Sequence, residues 1–470
     1  HQKDLSGKKG VRTHSEGKEM SLVQNIRKTM NYSRKNGYGE AAVAAWERVT
    51  AKYCADYDYR APDQDTLERQ RADQSVSDLK FSILVPAYET QRVYMSALID
   101  SCIAQTYGNW ELIIADGSAS DIVRDTVDRY HDARIRYVRL EGNDGIAENT
   151  NRAIELATGD YYGLLDHDDL LTADALYEMA HAVQERRPDL AYSDEDKCDE
   201  SGRRFYDPHF KLDFNLDLLL TNNYICHFMV VRADILKKMR IRKEYDGSQD
   251  YDIILRIVGG RLLKEKENKG AEPVEKAIVH VPRVLYHWRC HENSTADNPQ
   301  SKMYAYEAGK KALIDFASRM GWKVDVRHNK HLGFYRIEYG DSVLTHRPDL
   351  AAVGGFAARH GRVASGIYKG QPLLYAGYMN RMDLYQNTDW LDIRNMAVNK
   401  AYQGAYEEVT GYPYVSTFYA ENRDLPQWMR DLERTAGGEE RLMELGVGLC
   451  RRLTADGARL LLDPVCIRKI

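Results

Sequence analysis

From residue 80 to residue 170 the sequence alternates short strand-like runs with amphipathic stretches. Residues 81–85, apolar except for Ser82, are closed by Pro86, and residues 93–105 have helical periodicity. A second strand spans 110–115 and ends at Asp116-Gly117-Ser118, with a helix expected over 120–130. Residues 135–139 read as a third strand, 148–157 as a helix and 161–165 as a fourth strand. Strands separated by helix-length connections form parallel sheets, because only a long crossover brings the next strand back in the same direction. The expected fold is therefore α/β, with a doubly wound, mainly parallel sheet.

The fourth strand ends in three carboxylates, Asp166, Asp168 and Asp169, around His167. In an open α/β sheet ligands bind beyond the carboxyl ends of the strands. Alternating carboxylates there suit a hard divalent cation that keeps positions open for phosphate oxygens. The pattern alone is weak, since Asp-x-Asp also occurs at Asp56/Asp58, Asp63/Asp65, Asp194/Asp196 and Asp250/Asp252. An apolar strand leading in and an amphipathic helix leading out, with Thr172 as its expected cap, distinguish this copy. Three strand-end loops, 86–89, 116–118 and 166–168, should thus meet in one crevice.

A net charge of −5 gives no general attraction to nucleic acid or to an anionic membrane. The seven cysteines include no Cys-x-x-Cys pair, which argues against a disulfide framework or zinc ribbon and fits a reducing compartment. No run approaches the ~18 apolar residues of a membrane span. The polar N-terminus, without an initiator Met, reads as a fragment boundary rather than a signal peptide.

Taken together, the stretches 82–88, 112–118, Gly145-Ile146-Ala147 with Asn149 and Asn151, and 165–169 resemble family 2 glycosyltransferases of the GT-A fold. The stretches 247–252 and 284–289 continue the likeness in the family's order. Residues 192–197 and 223–227 narrow it to bacterial enzymes that build surface polysaccharides, including rhamnan-type polymers.

The resemblance implies roles. Pro86, Tyr88, Glu89, Asn149, His167 and Arg289 would line the nucleotide-sugar site. Asp116 would accept the imide N–H of uracil or thymine, as a pure acceptor can; alternatively it is only a turn residue before Gly117. Many relatives carry paired Asp where Ala115 precedes Asp116 here. Asp166 and Asp168 would hold Mn2+ or Mg2+ on the donor diphosphate, with His287 as a third ligand or a hydrogen-bonded histidine of the cleft. Arg289 would pair with the diphosphate through its fork. Asp250 would be the general base of an inverting transfer, or merely the cap of the helix that follows. Asp194, Glu195 and Asp196 would touch sugar or acceptor, or serve structure.

The expected organisation is an N-terminal helical extension over 1–79, with helices at 21–35 and 40–53, a GT-A domain over 80–330, and a reduced, non-catalytic module over 331–470. Residues 392–398 resemble 224–230, and 445–464 echo the helix and strand after Asp250 without its aspartate. An unrelated α/β appendage is the alternative for this last part. Acceptor binding or pairing into a homo-oligomer would suit it. The expected protein is cytoplasmic and takes a UDP- or dTDP-sugar to a hydroxyl of a growing glycan, with a lipid-linked acceptor met at the inner membrane face. Two other readings remain. A sugar nucleotidyltransferase would want a Gly-rich loop after the first strand, where Pro86-Ala87-Tyr88-Glu89 stands. A catalytically inactive glycan-binding or scaffold protein would not need Asp116, Asp166, Asp168 and Asp250 together.

Overall fold

The computed structural model of the chain describes residues 57–76, 79–268, 270–291, 303–328 and 333–339, residues 346 and 347, and strand segments within 350–372 and 459–469. The expected helices at 21–35 and 40–53 and the likeness at 392–398 lie outside the described residues. Of the run 445–464, only residues from 459 onward fall within them, in the strand Arg459–Lys469.

A helix α1 (Gln64–Ala72), capped by Asp63 accepting from the Thr66 N–H at 2.8 Å, precedes the sheet. There follow β1 (Phe81–Ala87), α2 (Arg92–Ile103), β2 (Trp110–Asp116), α3 (Ile122–Val127), β3 (Ile135–Arg139), α4 (Ile146–Leu156) and β4 (Tyr161–Leu164). The next elements are β5 (Leu170–Leu171), α5 (Ala175–Gln184), β6 (Leu190–Cys198), β7 (Phe205–His209), α6 (Leu216–Leu219), β8 (Met229–Arg232) and α7 (Ala233–Met239). Then come α8 (Gln249–Glu267), α9 (Val274–Ala277), β9 (Ile278–Arg289), α10 (Met303–Arg319) and the hairpin β10 (Val324–His328) and β11 (Tyr335–Tyr339).

The main sheet has the order β3-β2-β1-β4-β8-β6-β9-β5, with β7 on β6. β3, β2, β1 and β4 are mutually parallel. β8 enters antiparallel between β4 and β6, which restores the original direction in β6 and in β9 beside it. The strand ends of β1, β2, β4, β6 and β9 therefore share one edge, and the start of β8 lies at that same edge.

Alternation along the strands builds two core layers. Phe81, Ile83, Val85, Leu112 and Ile114 pack with Met95, Leu98, Ile99, Val123, Leu176 and Met179 of α2, α3 and α5. Leu84, Ile113 and Ala115 face the other way, toward Ala153 and Ile154 of α4, Ile254 and Val258 of α8 and Phe316 of α10. Each buried Val, Leu, Ile, Phe or Met among them contributes about 1.5–3 kcal/mol, which makes the sheet a rigid floor for its loops.

Three local expectations need correction. β1 runs through Pro86 to Ala87, because β4 pairs with β1 only as far as Leu84, so the missing N–H of Pro86 breaks no bond on that side. Leu170 and Leu171, ahead of the expected helix, form a short strand of their own, bridged antiparallel to His287 and Tyr286. Thr172 is not the helix cap: α5 starts at Ala175 after Asp174, and the Thr172 hydroxyl donates to Asp174 at 2.7 Å.

In sequence, residue 330 comes after β10 and before β11, and those two strands pair with each other. Beyond it, Phe334 bridges to Asn222, Tyr335 N–H donates to the Thr221 carbonyl at 2.7 Å, and buried Arg347 pairs with Asp217 at 2.6 Å. Among the described residues, no helix is long and apolar enough to cross a membrane.

Candidate active site

The site begins where β1 and β2 end. Asp116, fully buried, accepts at Oδ1 from the Ser118 main-chain N–H at 2.9 Å and the Ser118 hydroxyl at 2.5 Å. Its Oδ2 accepts from the Tyr137 hydroxyl at 2.8 Å and faces Arg139 at 3.4 Å. Both oxygens have protein partners, so the turn role is realised, and a nucleobase would have to share or replace one of them.

Glu89 ties this loop to its neighbour. At φ 47° its backbone is left-handed, and its own N–H donates to the Ser118 hydroxyl at 2.7 Å. Its carboxylate accepts from the Ala119 N–H at 2.7 Å and from the Ser120 hydroxyl at 2.6 Å. The Ser120 hydroxyl, with the main-chain donors of Ser120 and Ala119, holds this carboxyl below the usual range. Glu89 thus braces the loop, while Pro86 is half-buried and Tyr88 exposed. Asn149, on α4, is nearly buried against Gly117; its amide N–H donates to Asn143 Oδ1 at 3.0 Å and its Oδ1 has no partner.

The carboxylates after β4 differ sharply. Asp169 is buried, accepting from the Tyr286 hydroxyl at 2.5 Å and the Arg289 N–H at 2.7 Å. Burial first, and then the charges of Asp168 and Asp166, push its carboxyl well above the usual range. A crowd of three carboxylates that raises one of them is the field that a bound cation would relieve. Asp166 is half-exposed and faces His227 Nε2 at 3.7 Å. Asp168 meets His291 Nε2 at 2.8 Å. His167 has a buried Nδ1 without a partner.

His287 does not join Asp166 and Asp168. Its Nδ1 lies 2.5 Å from Asp196 Oδ1, and its ring is packed between Tyr59 and Phe205. The histidine that meets Asp168 is His291, four residues farther along the chain, and the one that faces Asp166 is His227. Arg289 is also committed: it is buried over Tyr94, with Nε donating to the Asp168 carbonyl at 2.6 Å and Nη1 to the Glu200 carbonyl at 2.7 Å. Its remaining Nη2 has no partner. Among the described residues no three His, Cys, Asp or Glu side chains are preassembled as a metal cage. The carboxylate oxygens of Asp166 and Asp168 are of the chemical type that could hold Mn2+ or Mg2+, with the other positions left to phosphate and water.

The acidic triplet on β6 is engaged within the protein. Asp194 accepts from the Lys211 N–H at 2.8 Å and lies 2.9 Å from His280 Nε2. Asp196 holds His287. Glu195 accepts from the His227 N–H at 2.6 Å and is flanked by His227 Nδ1 at 3.2 Å, His209 Nδ1 at 3.3 Å and Lys211 Nζ at 3.5 Å. Burial alone would raise the Glu195 carboxyl, but Lys211, His209 and His227 bring it well below the usual range. Burial likewise disfavours charge on His227, yet Cys226, Asp166 and Glu195 raise it well above an ordinary histidine.

Asp250 sits at the second position of α8, whose cap residue is Ser248, so Asp250 is not the helix cap. Its Oδ2 accepts from Asn223 Nδ2 at 2.8 Å. Asn223 and His227 thus belong to one five-residue segment that reaches Asp250 at one end and Asp166 at the other. Four extended residues span at most about 14 Å, so the two carboxylates are held within one small ligand's reach of that segment. No local pattern marks His227, His291, Lys211 or Asn223. The stretch 223–227 resembles the family only as a block, and what its side chains face depends on the antiparallel entry of β8.

Residues 82–240 match the family model described as Glycosyl transferase family 2. The chain is 38% identical over 244 residues to an uncharacterized protein, y4gI, of Sinorhizobium fredii, covering 51% of this chain and 25% of that protein. It is 29% identical over 266 residues to the O-antigen biosynthesis protein RfbC of Myxococcus xanthus, covering 55% and 19%. It is also 37% identical over 101 residues to the Escherichia coli UDP-Glc:alpha-D-GlcNAc-diphosphoundecaprenol beta-1,3-glucosyltransferase WfgD, covering 22% and 40%. The matched segments span a quarter of the first of these proteins and less of the second. Among solved structures, TarS 1–349 of S. aureus aligns at a TM-score of 0.37 with 18% identity, over 52% of this chain and 65% of that one.

Proposed function

We propose, from the premise that residues 82–240 form a domain of glycosyl transferase family 2, that the chain is a metal-dependent, inverting glycosyltransferase of surface-polysaccharide assembly. The donor is a UDP- or dTDP-sugar and the acceptor a hydroxyl of a lipid-linked glycan, met at the inner face of the membrane. Relatives named for O-antigen biosynthesis and for glucosyl transfer to a diphosphoundecaprenol-linked sugar support this choice of substrates.

The observation that carries the reading is the single sheet edge shared by Asp116, Asp166, Asp168 and the segment that holds Asp250. In the reaction an acceptor oxygen attacks the anomeric carbon, the bond from that carbon to the diphosphate oxygen breaks, and the acceptor proton goes to Asp250. Asn223 orients the Asp250 carboxylate by donating to Oδ2, and the Cys226 thiol hydrogen-bonds the same carboxylate. Asp166 and Asp168, with His291, would hold Mn2+ or Mg2+, whose charge offsets that of the leaving diphosphate. Asp116 and Asn149 would meet the nucleobase, with Glu89 bracing their loop.

Calorimetric titration of UDP and dTDP, with Mn2+ and with chelator, tests the reading. Binding should require the cation in the wild type and be lost in Asp168→Ala. Equal nucleotide binding in chelator by both proteins would remove the metal from the account.

A further inference from the structure

We infer that residues 223–227 form a strap whose two ends position the two reacting halves of the site, Asn223 orienting Asp250 and His227 orienting Asp166. The inference rests on the glycosyltransferase reading and adds two positioning residues to it.

The strap is held from beneath. Lys211, wholly buried, donates from Nζ to the Ile225 carbonyl at 3.1 Å and to the His227 carbonyl. The His227 main-chain N–H donates to Glu195 at 2.6 Å, and the imidazole stacks on Tyr286 with centroids 4.8 Å apart. Tyr286 in turn donates to Asp169 in the aspartate loop. Ile225 and Phe228 are buried in opposite core layers, so the segment is pinned between the two faces of the sheet.

The two ends leave that anchorage toward different carboxylates. Asn223 Nδ2 donates to Asp250 at 2.8 Å, while its buried Oδ1 has no partner. An amide with one half committed to the base and the other unpaired suits an acceptor hydroxyl that donates to it. At the other end the imidazole is shared by its nitrogens, Nδ1 toward Glu195 at 3.2 Å and Nε2 toward Asp166 at 3.7 Å. Glu195 sits on the anchored side, so His227 transmits the fixed position of the buried Lys211–Glu195 pair to the half-exposed Asp166.

Two replacements of His227 separate positioning from packing. Glutamine places its amide nitrogen near the Nε2 position, whereas asparagine places it near Nδ1. If His227 positions Asp166, His227→Asn should weaken binding of UDP with Mn2+ about 10–100-fold, and His227→Gln should stay within about three-fold of wild type. If the ring only packs against Glu195, asparagine is the milder change and the order reverses. Asn223→Ala should leave UDP–Mn2+ affinity unchanged and slow UDP release, from whichever UDP-hexose the wild type turns over, about 10–100-fold. Wild-type affinity in His227→Asn, or parallel loss of affinity and rate in Asn223→Ala, overturns the strap. Melting temperatures identify a variant that does not fold, and Asn223→Ala then decides alone. Silent Asp168→Ala and Asp250→Asn variants would instead overturn the glycosyltransferase reading, and this inference with it.

Discussion

Asp250 lies one residue inside the first turn of α8, hydrogen-bonded to Asn223 and not to its own helix backbone. Asp250→Asn should therefore leave the melting temperature and UDP–Mn2+ affinity near wild type. Turnover should fall about 10²–10⁴-fold, the usual worth of a positioned general base. Wild-type turnover in this variant would move the base elsewhere. Glu195 presents a different balance. Its folded carboxyl is depressed, so its stabilisation is complete above the unfolded value of about 4.3 and is lost as pH falls through the folded value. Glu195→Gln leaves Lys211 buried and unpaired, which should cost about 3–5 kcal/mol at pH 7. The double variant Glu195→Gln/Lys211→Met removes both charges and should recover most of that loss in urea melts. An additive double loss would show that the pair is not coupled.

The elements fit together through a few close approaches. Gly163 of β4 admits the Phe228 ring, which a Cβ would meet at 2.9 Å, and this lets β8 lie beside β4 with His227 at the aspartate loop. Gly145 starts α4 at φ 101°, where a Cβ would come within 2.2 Å of the Asp246 carboxylate. That carboxylate accepts from the Ala147 N–H at 3.0 Å and so caps α4 from a distant loop. Gly145→Ala should destabilise by more than ~1 kcal/mol, since both the backbone angle and the capping contact oppose it. Equilibrium urea unfolding should show a lower midpoint at an unchanged slope; an unchanged midpoint would deny the cap. The strands up to β4 were legible as apolar runs bounded by turns. β5, only two residues long, was not, because a bridge to β9 more than a hundred residues away leaves no local signal.

For the whole molecule, we propose that the sheet domain ends nearer residue 350 than residue 330. Ending the chain at 330 cuts the β10–β11 hairpin and removes Arg347 from Asp217. Breaking a buried pair of this kind costs about 3–5 kcal/mol, so that chain should melt early and bind UDP weakly. A chain ending after residue 350 should keep UDP–Mn2+ binding, because every donor-side residue named here precedes it. A folded chain ending at 350 that binds no nucleotide would relocate the donor site.

The sequence by itself determined the α/β class, the order of the first four strands and the clustering of Asp116, Asp166 and Asp168 at strand ends. These follow from local periodicity and from the rule that parallel strands end at one edge. Tertiary structure decided which partners the candidate side chains meet. It committed Glu89, Arg289 and His287 to internal partners, and it brought His291 to Asp168. It also set Asn223 against Asp250 and His227 against Asp166. No pattern within a short window encodes such pairings, because they depend on β8 entering antiparallel and on a buried lysine holding the turn before it. Hydrophobic spacing specifies which face of an element is buried. Which polar groups then meet depends on how distant elements pack together.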